Sequence, residues 1–357
     1  MNNNRTITAL LATLLGAMAL LAGSCREDSG SGNSNEGSIL DKVQTDAAEE
    51  RLDVVCTTGM IADIVEQIGG EHLSVHCMMG PGVDPHLYQA TTGDVQALAD
   101  ADIVFYNGLH LEAKLGELLE KLGQQRPVIA VTGDIPEERL LSPAEFEGLH
   151  DPHVWMDVEL WMIAADTVTE SLVSIDPVHE KEYRLNSSRI RQELILFSSD
   201  IYQLCAEIPE SRRILITAHD AFNYFGRAYG FEVRGLQGIS TQAEAGTADV
   251  RELAEFIVDR QIPAIFVESS VPQRNIEAVQ AACASRGFEV AIGGELFSDA
   301  MGTAGTPEGT YVGMIRHNVV TLLAALTRGI EFEPENISDP WFDENGNPLW
   351  ERPAWTE

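Results

Sequence analysis

The stretch DPVHEKEYRLNSSRIRQELILFSSDIYQLCAEI, residues 176–208, decides how this chain is organised. It contains no glycine and no proline between Val178 and Ile208, and Pro177 suits the first turn of a helix. Its apolar residues recur at steps of three, four and seven, which is the spacing of one face of an α-helix. These residues are Tyr183, Ile190, Leu194, Phe197, Ile201, Leu204 and Ile208.

A helix of about thirty residues would be about 45 Å long, because each residue adds about 1.5 Å, and it would exceed the width of a small domain. We therefore predict that residues 177–208 form one helix that bridges two lobes. The alternative is two ordinary helices with a break near Ser198 and Ser199.

Strands alternate with helices on both sides of this helix. Before it, strands are predicted at 51–56, 73–78, 103–106 and 128–131, with helices at 60–68, 93–99 and 111–122. After it, strands are predicted at 213–217, 232–235, 264–267 and 289–292, with helices at 221–229, 248–260, 275–286 and 311–328. This order is typical of parallel sheets covered by helices. The prediction is an α/β protein with lobes at 51–176 and 209–330.

The start of the chain has the pattern of a secretory signal peptide over residues 1–24. Arg5 precedes an apolar run at 7–22 that is short for a membrane span. Gly23-Ser24-Cys25 resembles the lipobox of bacterial lipoproteins, in which the cysteine is lipidated, although Ala22 stands where that motif has leucine. The alternative is an ordinary signal peptide followed by an incidental cysteine.

Polar, acidic composition marks two further segments. Residues 25–50 are predicted to be a flexible tether, because they contain too few apolar residues to offset chain entropy. Residues 331–357 are predicted to be an irregular acidic tail. The expectation is an extracytoplasmic domain, held at a membrane surface if Cys25 carries lipid.

The charge balance excludes some partners. Of 357 residues, 23 are Lys or Arg and 56 are Asp or Glu, which gives a formal net charge of -33. Such a field repels nucleic acid and attracts cations. It is equally compatible with a solubility role in high salt. Hydrophobic residues make up 44%, enough for a folded core.

The cysteines after Cys25 are scattered, at Cys56, Cys77, Cys205 and Cys283. No C-x-x-C pair occurs, so a thiolate zinc knuckle and a dithiol redox motif are excluded. Cys56 and Cys77 lie in predicted strands and would form a disulfide only if those strands were neighbours. Buried free thiols are the expectation, with the disulfide as the alternative.

Three of the nine histidines share a placement on turns next to predicted strands or prolines: His86, His153 and His219. Asp299 also follows a predicted strand, and ligands of α/β proteins bind at the carboxyl ends of strands. Imidazole is the commonest metal ligand near neutral pH. However, separations of 67, 66 and 80 residues fix no geometry. His317 is predicted to be a core residue, and the rest lie in polar loops or helix flanks: His72, His76, His110, His150 and His179.

Several blocks, in this order, resemble the TroA-like group of zinc- and manganese-binding lipoproteins of bacterial metal ABC importers (solute-binding protein family 9). The resemblance covers residues 51–329. The blocks are TGMIAD at 58–63, GPGVDPH at 80–86, HDPHVW at 150–155, TAHDAF at 217–222, GLQG at 235–238, VESS at 267–270 and GELFSDAMG at 294–302.

The resemblance implies a metal site in the cleft between two lobes, with His86, His153, His219 and Asp299 as ligands. It implies a monomer that binds one Zn²⁺ or Mn²⁺ per chain, performs no catalysis and delivers the ion to a membrane permease. Manganese-selective relatives usually have Glu at the third position, so His219 favours zinc. Residues 137–149 contain no histidine, unlike the His-rich loop of dedicated zinc scavengers, which weakens a zinc-only assignment.

Other functions stay open from the residues alone. A metal-dependent hydrolase would use Glu268 or Glu295 as the base that activates a metal-bound water. Cell adhesion rests only on family association. Glu268, Glu295 and Asp220 are also candidates for contacts behind the ligands.

Overall fold

A computed structural model describes residues 51–144, Phe146, residues 148–328 and Trp341. The predicted signal peptide, Cys25, the tether and the predicted tail other than Trp341 lie outside the described residues. None of the described helices is both long enough and apolar enough to cross a membrane.

The first lobe is built on a four-stranded parallel sheet with the strand order β2-β1-β3-β4. The strands are near-continuous apolar runs because helices cover the sheet, as in Val54, Val55 and Cys56 of β1, which are all buried. Its elements are β1 (Leu52–Thr58), α1 (Gly59–Gly69), β2 (Leu73–Met79), α2 (Thr92–Asp100), β3 (Ile103–Tyr106), α3 (Gly116–Gly123) and β4 (Val128–Ala130).

Two long helices follow, α4 (Val158–Ile175) and α5 (Glu180–Glu207). The 28 residues of α5 form one uninterrupted helix, so the predicted bridging helix is confirmed and the break near Ser198 is wrong. The apolar face predicted from the sequence is buried along the whole helix, from Tyr183 to Leu204. This face packs in the main core. Its burial offsets the entropy cost of ordering so long a segment.

The second lobe also contains only parallel pairs among its described strands, β5 with β6 and β7 with β8. The α/β class predicted from the sequence is confirmed. The elements are β5 (Ile214–His219), α6 (Asn223–Tyr229), β6 (Glu232–Gln237), α7 (Thr247–Arg260), β7 (Ala264–Glu268), α8 (Arg274–Ala284), β8 (Ala291–Leu296) and α9 (Tyr311–Leu326).

One hydrophobic core extends through both lobes. It includes Phe105 of the first sheet, Trp161 of α4, Phe197 of α5, Phe266 of β7 and Tyr311 of α9, all nearly inaccessible to solvent. A core shared in this way resists rigid-body rotation of one lobe against the other, because rotation would expose its apolar surface.

Some elements differ from their predictions. The helix predicted at 111–122 begins only at Gly116, because residues 109–115 form turns, of which Leu109 and His110 have positive φ angles of 51° and 64°. The helix α4 was not predicted. Its 18 residues are buried on most sides, so no apolar face stands out from a polar one.

The two cysteines of the first sheet are direct neighbours, since Cys56 pairs in register with Cys77. Both are free thiols, as are Cys205 and Cys283, so the disulfide alternative is wrong for the structure as it stands. Cys77 is only half-buried and lies within 3.3 Å of the carbonyl oxygen of Met79.

Truncation on the buried face of α5 should test how much the bridging helix contributes to stability. Leu204 is fully buried, so Leu204→Ala should lower the free energy of unfolding by about 2–5 kcal/mol through lost burial and a residual cavity. Leu196 lies on the same helix with 64% exposure, so Leu196→Ala should change it by less than about 0.5 kcal/mol. Chemical denaturation measures both, and equal effects would mean that the buried face does not hold the helix.

Candidate metal centre

The four predicted ligand residues reach one point from four different segments. His86 follows β2, His153 precedes the short turn that leads into α4, His219 ends β5, and Asp299 follows β8. Their exposed fractions are between 0% and 2%. Burying a single histidine or aspartate without a partner costs free energy. Four such side chains clustered in the interior therefore indicate a binding site.

One ligand atom from each residue lies within 4.8 Å of the others. The Nε2 atoms of His86 and His153 are 3.3 Å apart. Asp299 Oδ1 lies 3.3 Å from His153 Nε2, and Asp299 Oδ2 lies 3.2 Å from His219 Nε2 and 3.9 Å from His86 Nε2. The carboxylate therefore faces the imidazoles with both of its oxygens.

These spacings fit a single cation. With metal–ligand bonds of about 2.1 Å, neighbouring ligands around a tetrahedral ion lie about 3.4 Å apart. His219 Nε2 and Asp299 Oδ1 are both buried, and neither atom forms a hydrogen bond, although the imidazole and the carboxylate are close together. A cation between them would satisfy both atoms. Coordination by both oxygens of Asp299 would give five donors, which Zn²⁺ and Mn²⁺ accept.

Two imidazoles are held from behind by carboxylates. His153 Nδ1 lies 2.7 Å from Asp151 Oδ1, and His219 Nδ1 lies 2.6 Å from Glu268 Oε2. When Nδ1 donates its hydrogen to the carboxylate, the lone pair of Nε2 points into the centre, where a metal can accept it. The hydrogen-bonding contact with Asp151 fixes the tautomer and the orientation of the His153 ring. The Glu268 carboxylate lies close enough to His219 Nδ1 to favour a proton on that nitrogen.

Backbone contacts fix the segments that carry the ligands. Glu268 Oε1 accepts a hydrogen bond from the backbone N–H of His219 at 2.8 Å, so one glutamate contacts both the backbone and the ring of that residue. Gly235 allows β6 to run close to the end of β5, since a Cβ there would lie 2.5 Å from the carbonyl carbon of His219. The His219 position is therefore set by backbone packing before any metal binds.

The two lobes are tied together around the centre by hydrogen bonds. Trp155 Nε1 donates to the carbonyl oxygen of Ser298 at 2.9 Å, and the Tyr311 hydroxyl donates to the carbonyl oxygen of Trp155 at 2.8 Å. The Asn223 amide donates to Asp151 Oδ2 at 3.1 Å. The neighbours of both His153 and Asp299 are thus anchored in the opposite lobe.

The charges of the centre without metal follow from its carboxylates. Burial alone would lower the pKa of His153, but Asp151 and Asp299 raise it to about 9. Burial would also lower the pKa of His219, yet Asp299 and Glu268 hold it well above its usual value. Burial lowers the pKa of His86 to about 3. The pKa of Asp299, which burial would raise, is kept well below its usual range by His219 and His153. The carboxylates therefore favour the protonated forms of His153 and His219, and a metal would compete with those protons.

Of the three acids predicted to lie behind the ligands, Glu268 contacts one of them, His219. The Asp220 carboxylate accepts the backbone N–H of Gly235 and so joins β5 to β6. The Glu295 side chain is exposed, and its carbonyl oxygen accepts from His317. Sequence analysis missed Asp151, although its place two residues before His153 was a usable signal.

The remaining histidines lie outside the centre. His317 is half-exposed and bonded to a backbone carbonyl, so its prediction as a core residue is only partly right. His72 is more buried than predicted, because its ring stacks on His179 with centroids 3.8 Å apart and contacts Glu182 at 2.6 Å.

Two α/β lobes joined by a long helix, with a buried cation centre between them, define a metal-binding solute-binding protein. The family model for the periplasmic zinc-uptake complex component A, ZnuA, matches residues 54–325. The chain therefore belongs to the ZnuA family, as the resemblance in the sequence implied.

Individual relatives agree with this assignment. The chain is 52% identical over 282 residues to the zinc-binding protein TroA of Treponema pallidum, covering 79% of this chain and 91% of that one. It is 46% identical over 280 residues to the manganese-binding lipoprotein MntA of Bacillus subtilis, covering 78% and 91%. The solved structure of periplasmic TroA from T. pallidum matches with a TM-score of 0.76 and 51% identity, covering 77% of this chain and 99% of that one.

Metal affinity should fall as the pH falls, because protons and metal compete for the same atoms. The raised pKa of His153, about 9, means that the metal must displace a proton throughout the neutral range. We expect the affinity to drop at least about tenfold between pH 7.5 and pH 5. Calorimetry in buffers with different ionisation enthalpies measures both the affinity and the protons released. A constant affinity with no proton release would contradict the three-imidazole centre.

Removing the acceptor behind His219 should weaken metal binding without removing a ligand. Glu268→Gln replaces the oxygen that faces His219 Nδ1 by a group that can donate, so the ring loses its preferred tautomer. We expect a loss in affinity of about 10- to 100-fold, measured by competition with a chelator. Glu295→Gln is the matched control and should bind as the wild type does, because that side chain is exposed. Equal affinities of both variants would remove Glu268 from the centre.

Proposed function

We propose that this protein captures one Zn²⁺ or Mn²⁺ per chain through His86, His153, His219 and Asp299, and delivers it to the permease of a metal ABC transporter. The observation that carries this proposal is the convergence of four buried ligand atoms within 4.8 Å of one another. Membership of the ZnuA family supports the transport role, and the relatives TroA and MntA are named for zinc and manganese binding.

The arrangement of ligands suits capture better than catalysis. A catalytic zinc typically keeps three protein ligands and one open position for water. Here a fourth ligand, Asp299, faces the imidazoles with both oxygens. Glu268 is engaged by His219 through both oxygens, and Glu295 is exposed, so neither is placed to activate a water. The hydrolase alternative has no support, and the proposal includes no catalytic step.

The ligand set favours zinc in equilibrium binding. Affinity for nitrogen and oxygen ligands rises from Mn²⁺ to Zn²⁺ whatever metal a cell imports, and three imidazoles strengthen that order. The carboxylate contributes the hard oxygen donors that Mn²⁺ prefers. The centre therefore serves either ion, and metal supply decides which one is carried.

The proposed organisation follows the sequence. Lobes at 51–176 and 209–330 are joined by the helix at 177–208, and the monomer is the working unit. Residues 1–24 direct export, and Cys25 with the tether at 25–50 holds the protein at the outer side of a membrane. Relatives named as lipoproteins and as a periplasmic component support this location.

Removal of either second-lobe ligand should test the proposal directly. His219→Ala and Asp299→Ala each remove a donor from the centre, so each should weaken metal binding at least about tenfold, or about 1.4 kcal/mol. Titration calorimetry with Zn²⁺ and Mn²⁺ measures the effect. His76→Ala, an exposed histidine on β2, is the control and should leave affinity unchanged. Wild-type affinity in both ligand variants would refute the proposed centre.

A further inference from the structure

The loop that carries His86 is connected to the opposite lobe by one side chain, Asp84. Asp84 Oδ1 accepts a hydrogen bond from the backbone N–H of His86 at 2.8 Å. Asp84 Oδ2 accepts one from the hydroxyl of Thr241 at 2.6 Å. One carboxylate thus holds the ligand loop of the first lobe and a loop of the second lobe at the same time.

Thr241 belongs to the segment 238–243, which follows β6. Its side chain is 7% exposed, although the residues on either side of it are half-exposed or exposed. The loop also folds on itself, because Gln237 Nε2 donates to the carbonyl oxygen of Ala243 at 3.0 Å. Thr241 is therefore turned inward, towards Asp84, from a loop in which Ile239 is the other buried residue.

The loop borders a cavity that is partly open to solvent. A cavity of about 430 Å³ lies between Gly238, Ser240 and Ala243 on one side and His110 and Leu149 of the first lobe on the other. The loop therefore has room to move without breaking the core that the two lobes share. The hydrogen bond from the Thr241 hydroxyl to Asp84 joins this loop to the loop that carries His86.

We propose that Asp84 and Thr241 form a latch that positions His86 and sets the rate of metal release. Asp84 is a positioning residue that acts through the backbone of His86. While the Thr241 hydroxyl occupies one of its oxygens, the other stays aimed at the His86 N–H. When the latch opens, the 238–243 loop moves into the neighbouring cavity, the His86 segment loosens and the metal loses one of its imidazoles.

This inference rests on the proposed function and extends it to the release step. It places the control of release in two loops, since the shared core opposes a wide rotation of the lobes. The donor in the second lobe is a neutral hydroxyl, so removing it leaves the charge of the centre unchanged. A change in release rate can then be assigned to the latch and not to electrostatics.

The test measures release of Zn²⁺ and of Mn²⁺ into excess chelator by stopped flow, using the full mature chain. Thr241→Val has nearly the same shape and lacks the hydroxyl, so release should become at least about tenfold faster, as expected for one lost hydrogen bond to a charged group. Thr241→Ser keeps the hydroxyl and should restore the wild-type rate. Ser240→Ala removes the neighbouring hydroxyl, which faces Gln242 in the same loop, and should leave the rate unchanged.

A second arm asks whether Thr241 acts through Asp84. In an Asp84→Ala background, Thr241→Val should accelerate release no further, and hydrogen exchange of the His86 segment should rise in the Thr241→Val single variant. Wild-type release in Thr241→Val, or an acceleration that persists without Asp84, overturns the latch. Failure of the proposed function looks different, because the wild-type protein itself would then bind no metal.

Discussion

The buried charge of Asp299 is the constraint on which the centre depends. A carboxylate removed from water is stable only when opposite charge or strong hydrogen-bond donors replace its hydration. Three imidazole nitrogens lie within 3.2 to 3.9 Å of it, and two of these rings are backed by further carboxylates, Asp151 and Glu268. Three acids therefore surround three rings. Protons or a divalent cation can balance the excess negative charge of these acids, so the cluster is suited to binding a cation.

The fold assembles this charge cluster before any metal arrives. Parallel strands bring their carboxyl ends to one edge, which places His219 and Glu268 at the ends of β5 and β7. The core shared by the lobes and the bond from Trp155 to Ser298 hold the other ligand segments against them. The ligand side chains are thus preorganised by folding, so little conformational entropy is lost when a metal binds, which favours tight binding. The same shared core opposes a wide rotation of the lobes, which is why the proposed release step involves loops.

The parts of the fold that were predictable are those with a local signal. The helix α5 has a regular apolar face, so its spacing identified it and its length indicated a bridge between lobes. The helix α4 is nearly as long, but Leu160, Trp161 and Met162 are all buried in succession, so no periodic contrast marks it. The late start of α3 follows turns at residues 109–115, which include the left-handed backbone of Leu109 and His110, and no propensity of those two residues indicates that conformation.

The sequence by itself determined the candidate ligands, which are three histidines and an aspartate on turns next to strands, in blocks that resemble a metal-importer family. It also determined one helix long enough to bridge two lobes. Only the tertiary structure decided which side chains share the centre. It selected Asp151 and Glu268 as partners of the ligands, although Glu268 is 49 residues away from His219 in the sequence, and it left Glu295, a near neighbour of Asp299 in the sequence, in solvent. The reason is physical, since distances of a few ångströms between residues 66 to 80 positions apart come from packing, which local sequence does not encode.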